Sequence, residues 1–292
     1  MRGEAARQYT GEGKRFHGEF SIRDRVIGPV SGACYRGGMD TAVRSQLALD
    51  DPVGDSPGPT QPPGTLVASW LGRIDYRRAW ALQRELVEAR AADSIPDQLL
   101  LLEHPAVLTL GRHADERFVR ASIAELEARG IELIRVERGG EVTYHGPGQL
   151  VAYPIIALSR RGLLVRPLVR ALEAALADTC RSFGVEAEGR DGHPGCWVLP
   201  AGQPPRKIGA LGLRIERGVS FHGIALNINP DLADFELLDA CGMPGVISTS
   251  ICLELGRPAE PPSTAMVGRA GATFARALAR QLAAELAGEL PD

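Results

Sequence analysis

Two apolar runs, Lys207–Glu216 and Val219–Asn229, are separated by nothing more than Arg217-Gly218. Strand-length runs joined by so short a glycine-containing turn predict an antiparallel hairpin. The remaining periodicity places further strands at Thr65–Leu71, Gln98–Glu103, Val107–Leu110, Ile131–Glu137, Gln149–Ile156, Val185–Glu188 and Cys196–Leu199. Asp75 caps a helix running to about Ala92, with Ala79, Leu82, Leu86 and Val87 on one face. Ser122-Ile123-Ala124-Glu125 is a capping box that opens a short helix stopping at Gly130. Leu163–Phe183 is a long helix closed by Gly184, and a last helix is expected from about Thr264 to Gly288. This order predicts an α+β fold, a mixed and largely antiparallel sheet with helices packed on it.

The regular pattern begins only at Thr65. Upstream, apolar residues are sparse, and Pro52, Pro57, Pro59, Pro62 and Pro63 crowd the last stretch before it. Such a segment cannot bury enough surface to offset the entropy of ordering it. Residues 1–64 are therefore read as a disordered tail and Pro/Gly-rich linker, with Met39 an available internal start, and residues 65–292 as one folded domain.

Bulk composition excludes several classes of function. A net charge of −3 argues against a general binder of nucleic acid or membrane surfaces. The longest uncharged run, Val142–Ser159, is interrupted by Gly146, Pro147, Gly148 and Pro154 and is too short to span a bilayer. The N-terminus has no apolar core of a signal peptide, and Glu4, Glu12 and Glu19 spoil a transit peptide. Cys34, Cys180, Cys196, Cys241 and Cys252 form no C-x-x-C pair, which suits a reducing cytoplasm. His193-x-x-Cys196 has the spacing of a metal-binding pair but no second pair to complete it, so no metal is expected. Arg160, Arg161, Arg166 and Arg170 form a basic cluster, either a solvated helix face or a docking face for an acidic protein.

Chemistry concentrates in three segments. Of 33 basic side chains only Lys14 and Lys207 are lysine, and Lys14 lies in the tail. Lys207 is thus the one ammonium of the folded part, a compact charge that can act in acid–base work where arginine cannot. It opens the hairpin together with Ala210, Leu211 and Gly212, and the partner strand carries Phe221-His222-Gly223-Ile224-Ala225. The second segment is Arg138-Gly139-Gly140-Glu141-Val142-Thr143-Tyr144-His145, followed by Gly146-Pro147-Gly148-Gln149. Its glycines allow close backbone approach to a ligand, and without a following Gly-Lys-Ser/Thr it is not a Walker loop. The third is Ala240-Cys241-Gly242-Met243-Pro244. Cys180 and Cys252 lie in apolar helical contexts and read as buried side chains. Cys241 follows an acidic stretch and precedes glycine and proline, which puts it on a loop. A thiolate there, with a cation nearby, would serve as a nucleophile.

Together these segments resemble the lipoyl(octanoyl) transferases, the LipB family, from about Thr65 to the C-terminus. The run Arg138–His145 with Gly146-Pro147-Gly148-Gln149 is similar to the family signature. Lys207 with Ala210-Leu211-Gly212, then Phe221–Asn227, matches the next blocks in order, and Cys241-Gly242 falls where the family has its nucleophile. One departure is Ala240, where the family commonly has proline. The resemblance implies the fold shared with biotin and lipoate protein ligases and makes residues 65–292 an octanoyltransferase catalytic domain.

It also implies a two-step relay in the cytoplasm. Octanoyl would pass from acyl carrier protein to Cys241 as a thioester, then to a lysine of an apo lipoyl domain. Acceptors would be the 2-oxoacid dehydrogenase complexes and the glycine cleavage H protein, with no nucleic acid, membrane, metal or other cofactor involved. Lys207 would stabilise the thiolate, while a loop of Arg138, Gly139, Gly140, Glu141, Val142, Thr143, Tyr144 and His145 would line the acyl pocket. Ala210, Leu211, Gly212, Gly223, Ile224 and Ala225 would bind substrate with them, and His145 would position rather than act as the main base. Three rivals remain: an ATP-dependent lipoate or biotin ligase, an acyl-thioesterase, and a non-enzymatic acyl-binding protein.

Overall fold

The structure is a computed structural model that describes residues 64–243, 245–257 and 261–292. The tail expected over residues 1–64 therefore lies, except for Gly64, outside the described residues. Leu99, Leu100, Leu101 and Leu102 of β2 (Asp97–Glu103) are fully buried, so this strand must be covered on both faces. Side chains alternate across a strand, and the two sets meet different cores. Leu99 and Leu101 join the cluster built with Leu168, Leu172, Leu176, Phe274 and Leu278. Leu100 and Leu102 join Leu82, Leu86, Val151 and Phe221 on the other face.

The large sheet has β2 near its middle. Its order is β12 (Glu285–Ala287), β1 (Thr65–Arg73), β2, β6 (Gln149–Ile155), β10 (Val219–Asn227), β9 (Arg206–Glu216), β8 (His193–Val198) and β7 (Glu188–Arg190). The short β11 (Ile247–Ser248) pairs with β9. Pairing is parallel at β12–β1, β1–β2 and β11–β9 and antiparallel at the other five interfaces. The expected mixed, largely antiparallel sheet is borne out. A second, three-stranded sheet places β3 (Val107–Leu110) between β4 (Glu132–Arg135) and β5 (Val142–His145).

Helices cover both faces. Helices α3 (Val165–Ser182) and α5 (Thr264–Gln281) supply the first core, and α1 (Tyr76–Ala91) the second. The short α2 (Ile123–Ala128) backs the small sheet, and α4 (Ile251–Glu254) follows β11. Local chemistry fixes the ends. Asp75 accepts the Arg78 N–H at 3.0 Å to cap α1, and Ser122 accepts the Glu125 N–H at 3.2 Å to cap α2. Arg217 and Gly218 turn the β9–β10 hairpin with φ of 51° and 80°, the twist that a two-residue turn requires. Among the described residues no helix is long and apolar enough to cross a membrane.

Three sequence expectations change. The last helix stops at Gln281, Ala283 takes φ 48°, and Glu285–Ala287 pairs in parallel with Thr65–Val67 as an edge strand. Residues 142–145 are strand rather than loop, because β3 offers them a partner in register Leu110↔Val142 to Val107↔His145. Arg161 is also not available for docking. With Arg90 it neutralises Asp97, which is 3% exposed and also accepts the Ala157 N–H at 3.0 Å, and its Nη2 reaches the Gly64 carbonyl at 3.0 Å.

Candidate active site

The loop Arg138–Glu141 lies between the two sheets, and its backbone is tied to both. Gly139 N–H donates to the Leu213 carbonyl of β9 at 2.9 Å, beyond the end of β8, where that edge of β9 is open. Gly111 N–H donates to the Glu141 carbonyl and Arg112 N–H to the Arg138 carbonyl, both at 3.1 Å. The Arg138 guanidinium reaches Thr109 O at 2.7 Å and Thr109 Oγ1 at 2.9 Å. Two glycines make this approach possible: a Cβ at Gly111 would stand 1.9 Å from Gly140 O, and one at Gly212 would stand 2.7 Å from Gly139 O.

Between this loop, β5, β9 and β10 lies a cavity of about 230 Å³. That is smaller than the roughly 300–1,000 Å³ typical of drug-sized ligands and suits a slim one. Its walls come from Arg138, Gly140, Glu141, Val142, Thr143 and His145 on one side. On the other stand Ala210, Leu211 and Gly212 of β9, opposite Ala225, Ile224 and Gly223 of β10 in the ladder. Lys207 is at one end with Gly192, His193, Pro194 and Met243.

Lys207 is 6% exposed. Its Nζ donates to the Pro194 carbonyl at 2.9 Å and stands 4.8 Å from the Trp197 ring centroid, a cation–π contact. Cys241 sits in a 3-10 turn, Ala240–Gly242, that packs on the cavity wall. Gly242 adopts φ 65°, and a Cβ there would lie 2.7 Å from Glu141 Cγ. The turn is anchored by Asp239, whose N–H donates to Phe118 O at 2.8 Å and whose carboxylate pairs with Arg120.

A chain of amides fixes the His145 tautomer. Thr249 O can only accept, so the Asn227 amide nitrogen faces it at 2.9 Å. Asn227 Oδ1 then accepts from Gln149 Nε2 at 2.9 Å, which leaves Gln149 Oε1 to accept from His145 Nδ1–H at 2.7 Å. Nε2 is therefore the bare, accepting nitrogen. Burial, with His104 and Arg138 nearby, holds this imidazole down at about 3, so it is neutral near pH 7.

A second relay runs through residues that the sequence reading did not single out. Tyr76 and Tyr153 both line the cavity. Tyr153 donates to His104 Nε2 at 2.8 Å, because His104 Nδ1–H is committed to Ile74 O at 2.7 Å. Burial keeps His104 at about 4 and raises both tyrosines. No local motif signals these residues, since α1 and β6 reach the cavity only through the sheet order.

Two expected wall residues do not face the cavity. Tyr144 is 2% exposed, packs with Phe235, and donates to Asp234 at 2.6 Å. Strand alternation turns it away from the face shown by Thr143 and His145. Gly139 is engaged by β9 and acts through its backbone. Cys196, three residues along β8 from His193, is buried in the same core as Cys180, and burial beside the Cys196 thiol raises the Cys180 thiol above its ordinary value.

The sequence profile of the lipoyl protein ligase A/B catalytic domain matches residues 75–252. The octanoyltransferase of Acidobacterium capsulatum is 49% identical over 193 residues, 63% of this chain and 78% of that protein. The octanoyltransferase of Chloroflexus aggregans is 44% identical over 206 residues, 70% of this chain and 91% of that protein. Among solved structures, a lipoate-protein ligase A bound with ATP superposes with TM-score 0.54 at 15% identity, over 77% of this chain and 88% of that one. A putative lipoate protein ligase from T. acidophilum does so with TM-score 0.53 at 16% identity, over the same shares. The fold is thus that of the lipoate protein ligases, and the chain belongs to the lipoyl protein ligase A/B catalytic-domain family as a LipB-type octanoyltransferase, an acyltransferase enzyme.

Proposed function

We propose that this enzyme moves an octanoyl group from acyl carrier protein onto Cys241 and from there to a lysine of an apo lipoyl domain. The observation that supports it most is the cavity itself. Its β9 and β10 walls are small or apolar, and Lys207 stands at the end bordered by Met243, two residues beyond Cys241. In the first step the Cys241 thiolate attacks the carrier thioester, the carrier thiolate leaves, and one thioester replaces another. In the second the acceptor amine attacks, Cys241 leaves as thiolate, and the proton that the nitrogen sheds as the amide forms passes to solvent. Lys207 would stabilise the thiolate in both steps. Neutral His145, with a bare Nε2, would hold the incoming amine by accepting a hydrogen bond from it. Acceptors would be the lipoyl domains of 2-oxoacid dehydrogenase complexes and the glycine cleavage H protein, and the reaction would run in the cytoplasm.

Intact-mass measurement after mixing with octanoyl-carrier should find one octanoyl added to the protein, without ATP. The Cys241→Ser protein should gain none and should not transfer, while melting as the wild type does. Undiminished transfer by that variant, or transfer that requires ATP, overturns the proposal.

A further inference from the structure

The peptide group between Pro194 and Gly195 is gripped at both ends. Its carbonyl accepts from Lys207 Nζ at 2.9 Å, and its N–H donates to Glu173 Oε1 at 3.0 Å. Glu173 comes from α3 and does not border the cavity. Its carboxylate is half-buried, and among the described residues no cation pairs with it. A carboxylate in that setting is committed to one backbone N–H, a charge-assisted hydrogen bond stronger than a neutral one.

The local sequence explains why this peptide needs a hold. Gly195 adopts φ 120°, and a Cβ there would stand 2.4 Å from Gly209 O and 3.2 Å from Lys207 Cε. Glycine is therefore what brings the β8 backbone against the lysine stem, and it also leaves the peptide free to rotate. Pro194 has no N–H with which to tether it from the other side. Gly195 is buried, so its N–H cannot turn to bulk water. In a trans peptide the N–H and C=O point opposite ways, and fixing one fixes the other. The Trp197 ring, 4.8 Å from Nζ, attracts the charge but offers it a face rather than a point. The Pro194 carbonyl supplies the point.

We propose that Glu173 is a positioning residue, which orients the Lys207 ammonium by fixing the Pro194–Gly195 peptide from behind. What the ammonium then does for Cys241 rests on the transfer reading above. A peptide hydrogen-bonded at both ends is also polarised, so the carboxylate strengthens the carbonyl's hold on Nζ as well as aiming it.

Glutamine presents the same acceptor oxygen, whereas alanine has none and is at home in a helix, so Glu173→Gln and Glu173→Ala should both fold. Isotopic labelling of lysine gives NMR signals from two side-chain ammonium groups, and the one missing from Lys207→Arg belongs to Lys207. At equal pH, exchange of its protons with water should quicken about tenfold in Glu173→Ala and stay within about threefold of the wild type in Glu173→Gln. With octanoyl-carrier as donor, kcat of the Ala variant should fall about tenfold while KM stays within about twofold. Alkylation of Cys241 should require a higher pH in that variant. Adding Glu173→Ala to Lys207→Ala should leave the alkylation profile where Lys207→Ala alone puts it, because the carboxylate acts only through the lysine. Unchanged ammonium exchange in Glu173→Ala overturns the proposal, as does a Gln variant that follows the Ala variant or a further shift in the double variant. If exchange quickens as stated while kcat and the alkylation profile stay normal, the positioning stands and Lys207 leaves the transfer reading.

Discussion

The contacts of Lys207 include two that suit a compact ammonium. Its Nζ meets the Pro194 carbonyl as a single point and stands over the Trp197 ring at 4.8 Å, in a setting 6% exposed. Arginine's head is larger and planar and bears five donors in a fixed fork, a geometry unlike the single-point contact of an ammonium. In a chain with only one other lysine, Lys207→Arg preserves the charge while changing the shape and donor geometry of the head. If Lys207 partners the Cys241 thiolate, turnover should fall at least about tenfold, a barrier rise of about 1.4 kcal/mol or more. Lys207→Ala should be slower still and should displace the pH profile of Cys241 alkylation upward. A Lys207→Arg enzyme with a normal rate and an unchanged alkylation profile would remove the lysine from the mechanism.

At the next scale, the cavity depends on how closely loop and strand backbones approach. A Cβ at position 212 would stand 2.7 Å from Gly139 O, and a backbone atom cannot swing aside as a side chain can. Gly212→Ala should therefore displace the Arg138–Glu141 loop, lowering kcat/KM about tenfold or more because small misplacements at a reacting centre are costly. A normal kcat/KM with a lowered melting temperature would mean that the loop serves stability alone. The elements legible in the sequence are those whose signals are local: the Asp75 and Ser122 caps, the helix stop at Gly184, the Arg217-Gly218 turn. β12 was not legible, because Glu285–Ala287 follows a helix with no intervening glycine or proline and becomes a strand only by pairing with Thr65–Val67. The candidate site divides likewise. Residues carried by the two motifs could be read directly, whereas Tyr76 and Tyr153 enter from distant segments. Tyr144 turns away because Val142–His145 is a strand, and the glycines around it give no local sign of strand alternation.

Across the whole molecule the buried imidazoles couple stability to pH. Burial keeps His104 at about 4 and His145 at about 3, and lowers His222 well below its ordinary value. In the unfolded chain each returns to about 6.5. Below that pH the unfolded chain takes up protons that the folded protein refuses, so stability is fully present above about 6.5 and is lost as pH falls toward the folded values. Each histidine contributes a slope of about 1.4 kcal/mol per pH unit inside that window, about 4 for the three together. Glu254, held below the usual carboxylate range by Arg206 and Thr249, adds a loss of the same sign only at lower pH. Denaturant midpoints should therefore be nearly flat from pH 8 to 7 and fall steeply from 6.5 to 5. Replacing His222 by Asn should take about a third of the slope away in that interval, because one of the three proton-refusing groups is gone. A midpoint independent of pH between 7 and 5 would mean that these imidazoles take up protons in the folded protein as readily as in the unfolded chain.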